Sequence, residues 1–333
     1  MQTDNNWGIL GHEWAVDLFQ GHLANNRMRH AYLITGSQGV GRRTLALRVS
    51  QGLNCKEPIA PGIPCLSCHT CQRIERMQHP DLVVVKAEDA GGTLKVDQVR
   101  ELQRGLSLAP YEATYKIALL LRFEEANPNA ANAILKTLEE PPRQVILFVT
   151  AQDTETLLPT IVSRCEVIRL RPLSIDQASR GIHEKWGIPE DEARLLAHLS
   201  NGRPGFAHWL SVNPEHREQR SAWLAEHQKL LSAKRTERFH YAENLAKDKI
   251  EFIQVIQTWL SLWRDVMLKS SGAQSPITNL DCENMIDDLA NRLNLNTAKQ
   301  MVINLEQTLS RLQRHTNNRL TAEVLLLNLP ILS

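Results

Sequence analysis

The sequence predicts an α/β core built on a parallel five-stranded sheet of the P-loop type, followed by an all-α remainder. Three observations predict it. Five short apolar, β-branched runs alternate with helical stretches in the first half of the chain, the first run leads into a glycine-rich turn, and strand signals stop after Pro172. The runs cover 31–35, 82–86, 117–121, 145–150 and 167–170. Each is apolar throughout rather than alternating, as in strands covered on both faces, and the intervening helices supply the crossovers that parallel strands need.

In chain order, the first strand is followed by Gly36-Ser-Gln-Gly39-Val-Gly41-Arg42-Arg43-Thr44, which opens a helix. There, backbone N–H groups at a helix N-terminus face an anion. Two positions depart from a working phosphate loop. Arg42 stands where a Lys reaches the β- and γ-phosphates, and Arg43 where a hydroxyl holds magnesium. Thr44 lies one residue on, about 100° around the helix, and does not replace that hydroxyl. A loop of Gly36, Gly39, Gly41, Arg42, Arg43 and Thr44 keeps donors for weak phosphate binding. ATP binding is left open, and magnesium-assisted catalysis is not expected.

The helix after the glycine turn ends at Cys55. A Pro/Gly-rich turn over 58–64 then leads to Cys65-Leu-Ser-Cys68-His69-Thr-Cys71, giving C-x9-C-x2-C-x2-C. Four thiolates this close suit a tetrahedral, closed zinc site, where the metal supplies folding energy that a short loop cannot draw from a hydrophobic core. Other readings stay open. His69 offers an alternative ligand to one Cys. Cys65-Leu-Ser-Cys68-His69 matches c-type haem attachment, though no export signal accompanies it, and an iron–sulphur cluster fits the spacing without the usual Cys-Pro. Cys165 and Cys282 stand alone.

The third strand runs into Leu121-Arg122-Phe123, where an active NTPase of this kind places an Asp-Glu pair. Glu124 and Glu125 follow, and are expected to form a solvated turn rather than a shifted metal site. Asn127 caps a helix that has Pro128 at its first position, and Pro141-Pro142 stops that helix after Glu140. Beyond Pro172, helices are expected over 174–186, 190–200, 204–232, 235–269, 281–293, 297–315 and 321–329. Trp259, Trp263, Val266 and Met267 recur at helical spacing and are expected in the core. Boundaries near 172 and 235 divide the chain into 1–172, 173–235 and 236–333, with 270–276 as a loop inside the last part.

Among the 333 residues, 38 Lys plus Arg balance 37 Asp plus Glu. That balance argues against a protein that coats a polyanion, and weakens the reading of a zinc-module domain binding nucleic acid unaided. No apolar run approaches the ~20 residues that span a bilayer. Met1-Gln-Thr-Asp-Asn-Asn has no basic n-region, so a cytoplasmic protein with no membrane partner is expected. In that reducing compartment a cysteine cluster more often holds metal than disulfides.

Two further motifs carry a family resemblance. Ala131-Asn-Ala-Ile-Leu-Lys-Thr-Leu-Glu-Glu-Pro-Pro142 precedes the fourth strand, and Ser163-Arg164-Cys165 precedes the fifth. In order with the glycine loop and the cysteine module, they resemble bacterial clamp-loader subunits of DNA polymerase III, an AAA+ family, from about residue 7 to residue 210. Gly202-Arg-Pro-Gly205 is similar to the lid motif that carries a nucleotide-sensing Arg at its fourth position, here Gly205, with Arg203 out of register. Asn318-Arg-Leu-Thr-Ala-Glu-Val-Leu-Leu-Leu327 is similar to the family's collar.

The resemblance implies an AAA+ core with an inserted zinc module on Cys55, Cys65, Cys68 and Cys71, then a helical lid and a helical collar for oligomerisation. It implies partners as well: gamma/tau and delta subunits in a ring of five, the sliding clamp, and primed DNA met as part of the complex. The departures at Arg42, Arg43, Leu121, Arg122 and Gly205 imply the branch that has lost ATP hydrolysis and has no independent catalysis. The alternative is an ATP-hydrolysing motor subunit, with Arg42 replacing the Lys and Glu124 or Glu125 recruited for magnesium. In the first reading, Arg164 implies an arginine finger acting in trans on a neighbour's γ-phosphate, an effect of about 10³ to 10⁵ in rate in finger systems. Without the motif, Arg164 reads as an ordinary surface Arg before a strand.

Overall fold

The computed structural model describes residues 6–88, 92–314 and 317–332. The reading of Met1 to Asn5, and the last residue of the helix expected to reach 315, lie outside the described residues. The described chain divides into two compact units, one running to Gly181 and including Gly202–Phe206, the other made of Ile182–Asn201 and the chain from Ala207 onward.

The first unit is built on β1 (Ala31–Thr35), β2 (Leu82–Val85), β3 (Lys116–Leu120), β4 (Val145–Ala151) and β5 (Glu166–Arg169). Their order is β2-β3-β4-β1-β5 and every neighbouring pair is parallel. This is the expected α/β core on a five-stranded parallel sheet. It puts the loop after β1 at the carboxyl end of a central strand, between β4 and β5, with Leu33 opposite both Val149 and Val167. Helices α1 (Glu13–Ala24), α2 (Arg42–Asn54), α3 (His69–Glu75), α4 (Val96–Leu106), α5 (Pro128–Ala133), α6 (Leu135–Glu139) and α7 (Pro159–Val162) surround the sheet.

The uninterrupted apolar strands have a direct cause. Successive side chains point to opposite faces, and both faces are buried. Tyr32, Ile34, Ile146 and Phe148 join Phe19 and Leu45 in one core, while Leu33, Leu147 and Val149 join Val99, Leu102 and Ile134 in the other.

The helix expected after Asn127 begins as predicted. The Asn127 side chain accepts from the Ala130 N–H, with Pro128 following. It is nevertheless split at Ile134 into α5 and α6, because Gln103 of α4 donates to the Ala133 carbonyl while the Thr137 N–H turns to Ile134. A side chain from another element has entered the helical ladder, a recognised cause of such breaks.

The rest of the described chain is helical: α8 (Ile175–Trp186), α9 (Glu190–Leu199), α10 (Pro204–Val212), α11 (Pro214–Ser232), α12 (Arg235–Leu245), α13 (Lys249–Ser270), α14 (Glu283–Arg292), α15 (Leu295–Gln313) and α16 (Asn318–Leu327). Two expected helices are each divided. Pro214 lacks an N–H and starts α11 rather than continuing α10, and Asp248 caps α13 by accepting from the Ile250 and Glu251 N–H groups. Trp259, Trp263 and Val266 are fully buried in the core of this second unit, and Met267 packs against it. No helix among the described residues is long and apolar enough to cross a membrane.

Candidate functional site

The glycine turn forms as expected, with Gly41 as the residue before α2. Gly36, Gly39 and Gly41 all have positive φ, which glycine adopts without steric cost. Two of them are also required by close approach. A Cβ at Gly36 would lie 2.4 Å from the Leu170 carbonyl, and one at Gly39 would lie 2.8 Å from the backbone nitrogen of Phe206.

The segment Gly202–Phe206 packs directly on this loop. The Gly205 N–H donates to the Gly39 carbonyl at 2.8 Å, and Arg203 donates to the Gln38 carbonyl while lying over the Phe206 ring. A Cβ at position 205 would come 2.9 Å from the Gly39 oxygen. The fourth position of the lid motif therefore has no room for an arginine in this arrangement.

Arg42 is buried, and its guanidinium lies 3.9 Å from Glu124, whose side chain is only 13% exposed. The neighbouring Arg122 pairs with Glu125 at 2.7 Å. The expected solvated turn at Glu124-Glu125 is thus two partly buried ion pairs. The reason lies in the backbone. Arg122 adopts a left-handed conformation, its N–H donates to the Thr150 hydroxyl, and Leu94 bonds to the Glu125 carbonyl, so the turn folds back under the loop instead of into water.

Burial pulls the Arg42 guanidinium below its usual range, with Glu124 opposing that shift and Arg122 adding to it. Burial likewise raises the Glu124 carboxyl, which Arg42 partly offsets. Arg43 is exposed and Thr44 is half-buried. The arrangement brings the arginine at the Lys position to 3.9 Å from the residue that would be recruited for magnesium.

Arg164 lies just past α7. Its Nη2 donates to Glu139 Oε1 at 2.6 Å, and its Nη1 to the Thr160 carbonyl and the Ser163 hydroxyl. Glu139 ends α6. Its only signal in the sequence is membership of the Ala131–Pro142 motif, separate from the motif that carries Arg164. Cys165, the next residue, packs against the core, and burial pushes its thiol up to about 12.

The four clustered cysteines come together, with all their sulphur atoms within 4.8 Å of one another. Cys55 and Cys65 are 3.5 Å apart, and Cys55 and Cys68 4.0 Å. A tetrahedral zinc with Zn–S near 2.3 Å sets an S–S edge of about 3.8 Å, so this donor set fits such an ion. His69 is exposed and outside the cluster. Burial works against ionising Cys65, but backbone N–H groups of Cys68 and Ser67 and the neighbouring thiols outweigh it and bring that thiol down to about 6. Burial raises Cys55 and Cys71. Gln51 of α2 donates to the Cys71 carbonyl, and Arg48 pairs with Glu75, which fixes the cluster against the core.

Residues 11–174 match a family described as DNA polymerase III, delta subunit, and residues 214–330 one described as DNA polymerase III, delta subunit, C terminal. The chain is 28% identical to the DNA polymerase III subunit delta' of Bacillus subtilis, covering 91% of both. It is 37% identical to that of Pseudomonas aeruginosa over 61% of each. Against DNA polymerase III subunit tau of Escherichia coli it is 34% identical over 51% of this chain and 26% of that protein. Among solved structures, a gamma subunit-related protein of Thermotoga maritima aligns over 94% of this chain and 97% of its own, with 18% identity and a TM-score of 0.47.

Proposed function

The chain belongs to the DNA polymerase III clamp-loader family, among its delta-prime members, and on that premise we propose that it is a non-hydrolysing subunit of the loader. The observation that carries this reading is the Arg42–Glu124 pair between the start of α2 and the turn after β3. The Glu124 carboxylate 3.9 Å from Arg42 sets a negative charge where a nucleotide phosphate would approach that guanidinium, and the guanidinium sets a positive charge where a metal would approach Glu124. Backbone contact between Gly205 and Gly39 further supports it, since it leaves no space for a sensing side chain.

In this reading the useful cation is Arg164, offered in trans to the γ-phosphate bound by a neighbouring gamma/tau-type subunit. A guanidinium there stabilises charge that develops in the transition state without needing chemistry on its own chain. Cys55, Cys65, Cys68 and Cys71 would hold a structural zinc ion, whose contribution is folding energy. The division into core (1–172), lid (173–235) and collar (236–333), the cytoplasmic location, a delta-type partner, and action with a sliding clamp on primed DNA complete the proposal.

Two measurements test it. Titration of the isolated chain with ATP is expected to give no magnesium-dependent turnover, and turnover would refute the non-hydrolysing reading. In the assembled loader, Arg164→Ala is expected to lower clamp- and DNA-stimulated hydrolysis by suppressing the adjoining site about 10³-fold or more. Unchanged hydrolysis would falsify the finger assignment.

A further inference from the structure

The guanidinium of Arg164 is already engaged by an anion of its own chain. Nη2 meets the Glu139 carboxylate at 2.6 Å, and Nη1 is tied to the Thr160 carbonyl at 3.0 Å and to the Ser163 hydroxyl. The carbonyl comes from α7 and the hydroxyl from the residue just before Arg164, whereas Glu139 comes from the separate helix α6, on the other side of β4 in the chain. The Arg164 and Glu139 side chains are 34% and 50% exposed. Such an ion pair is solvent-screened and weak, and either partner can swing away at small cost.

We propose that Glu139 is a positioning residue that restrains the Arg164 finger, holding it in cis until a phosphate of a neighbouring subunit replaces the carboxylate. This rests on the finger reading above. One guanidinium face cannot serve a carboxylate and a phosphate at once. When a subunit boundary closes and excludes water, a carboxylate left beside a phosphate would repel it. Engagement therefore requires Nη2 to release Glu139, while Nη1 keeps its contacts with the Thr160 carbonyl and the Ser163 hydroxyl. The restraint acts against nucleotide engagement, not against the chemical step, so it belongs in apparent KM rather than kcat.

Glu139→Gln keeps the size and an acceptor oxygen but removes the charge that strengthens the bond. In the assembled loader this variant is expected to lower the apparent KM for ATP about two- to five-fold, the range of an exposed pair, with kcat little changed. The gain should vanish in the Glu139→Gln/Arg164→Ala double variant. If Arg164→Ala alone leaves hydrolysis unchanged, the finger reading fails. If Arg164→Ala slows hydrolysis, three outcomes overturn the restraint instead: Glu139→Gln matching wild type, its effect persisting without Arg164, or its lowering kcat.

Discussion

At the scale of single residues, charge in this protein is governed by which buried groups find partners. An unpaired buried guanidinium is costly, and Arg42 is tolerated because Glu124 faces it. The Arg42 identity was visible in the glycine motif, but its partner was not, because nothing local links a helix start to a turn beyond β3. His227 shows the same rule for a neutral group. It is fully buried, with its ring centroid 4.5 Å from that of Trp259, and accepts a hydrogen bond from the Trp263 indole at 2.8 Å. Burial, helped by the Arg238 charge, pushes it down to about 3. The unfolded chain takes up this proton near pH 6.5 and the native chain does not until about pH 3, so stability is lost as pH falls through that window. Buried His12 and His79 are shifted down by burial as well and add to the trend. Urea denaturation at pH 7 and pH 5 should show the wild type losing about 2 kcal/mol more than His227→Gln over this interval.

At the scale of elements, local rules located strands and helices well and placed some of their ends badly. The five strands fell within a residue or so of the expected runs because continuous apolar β-branched patterning survives burial on both faces. The division of α10 from α11 and of α12 from α13 was also signalled, by Pro214 and by Asp248 three residues before Glu251, but the continuous helical periodicity on either side outweighed those signals. The split between α5 and α6 had no local signal, since it depends on Gln103 of another helix. Asp248 holds two N–H groups at the start of the 22-residue α13, which carries Trp259 and Trp263. Asp248→Ala should therefore cost about 1 kcal/mol, and Asp248→Asn much less, a difference readable from urea midpoints of the two variants.

At the scale of the whole molecule, the two units draw on separate cores, and the four cysteines belong to the first unit alone. With zinc in the cluster, metal analysis should find about one ion per chain. Chelation, or a Cys65→Ser/Cys68→Ser pair, should then raise hydrogen exchange over 55–75 while leaving α13 protected. Iron in place of zinc would overturn the metal assignment. By itself the sequence determined the parallel sheet, the glycine loop at its carboxyl edge, the helical remainder, and the grouping of four cysteines, because periodicity, turn chemistry and close spacing act over a few residues. Only the tertiary structure decided that Arg42 meets Glu124, that Gly205 closes onto Gly39, and that Arg164 is held by Glu139. Those pairings depend on through-space distance and on burial, and both are fixed by how strands and crossovers stack rather than by any local stretch of chain.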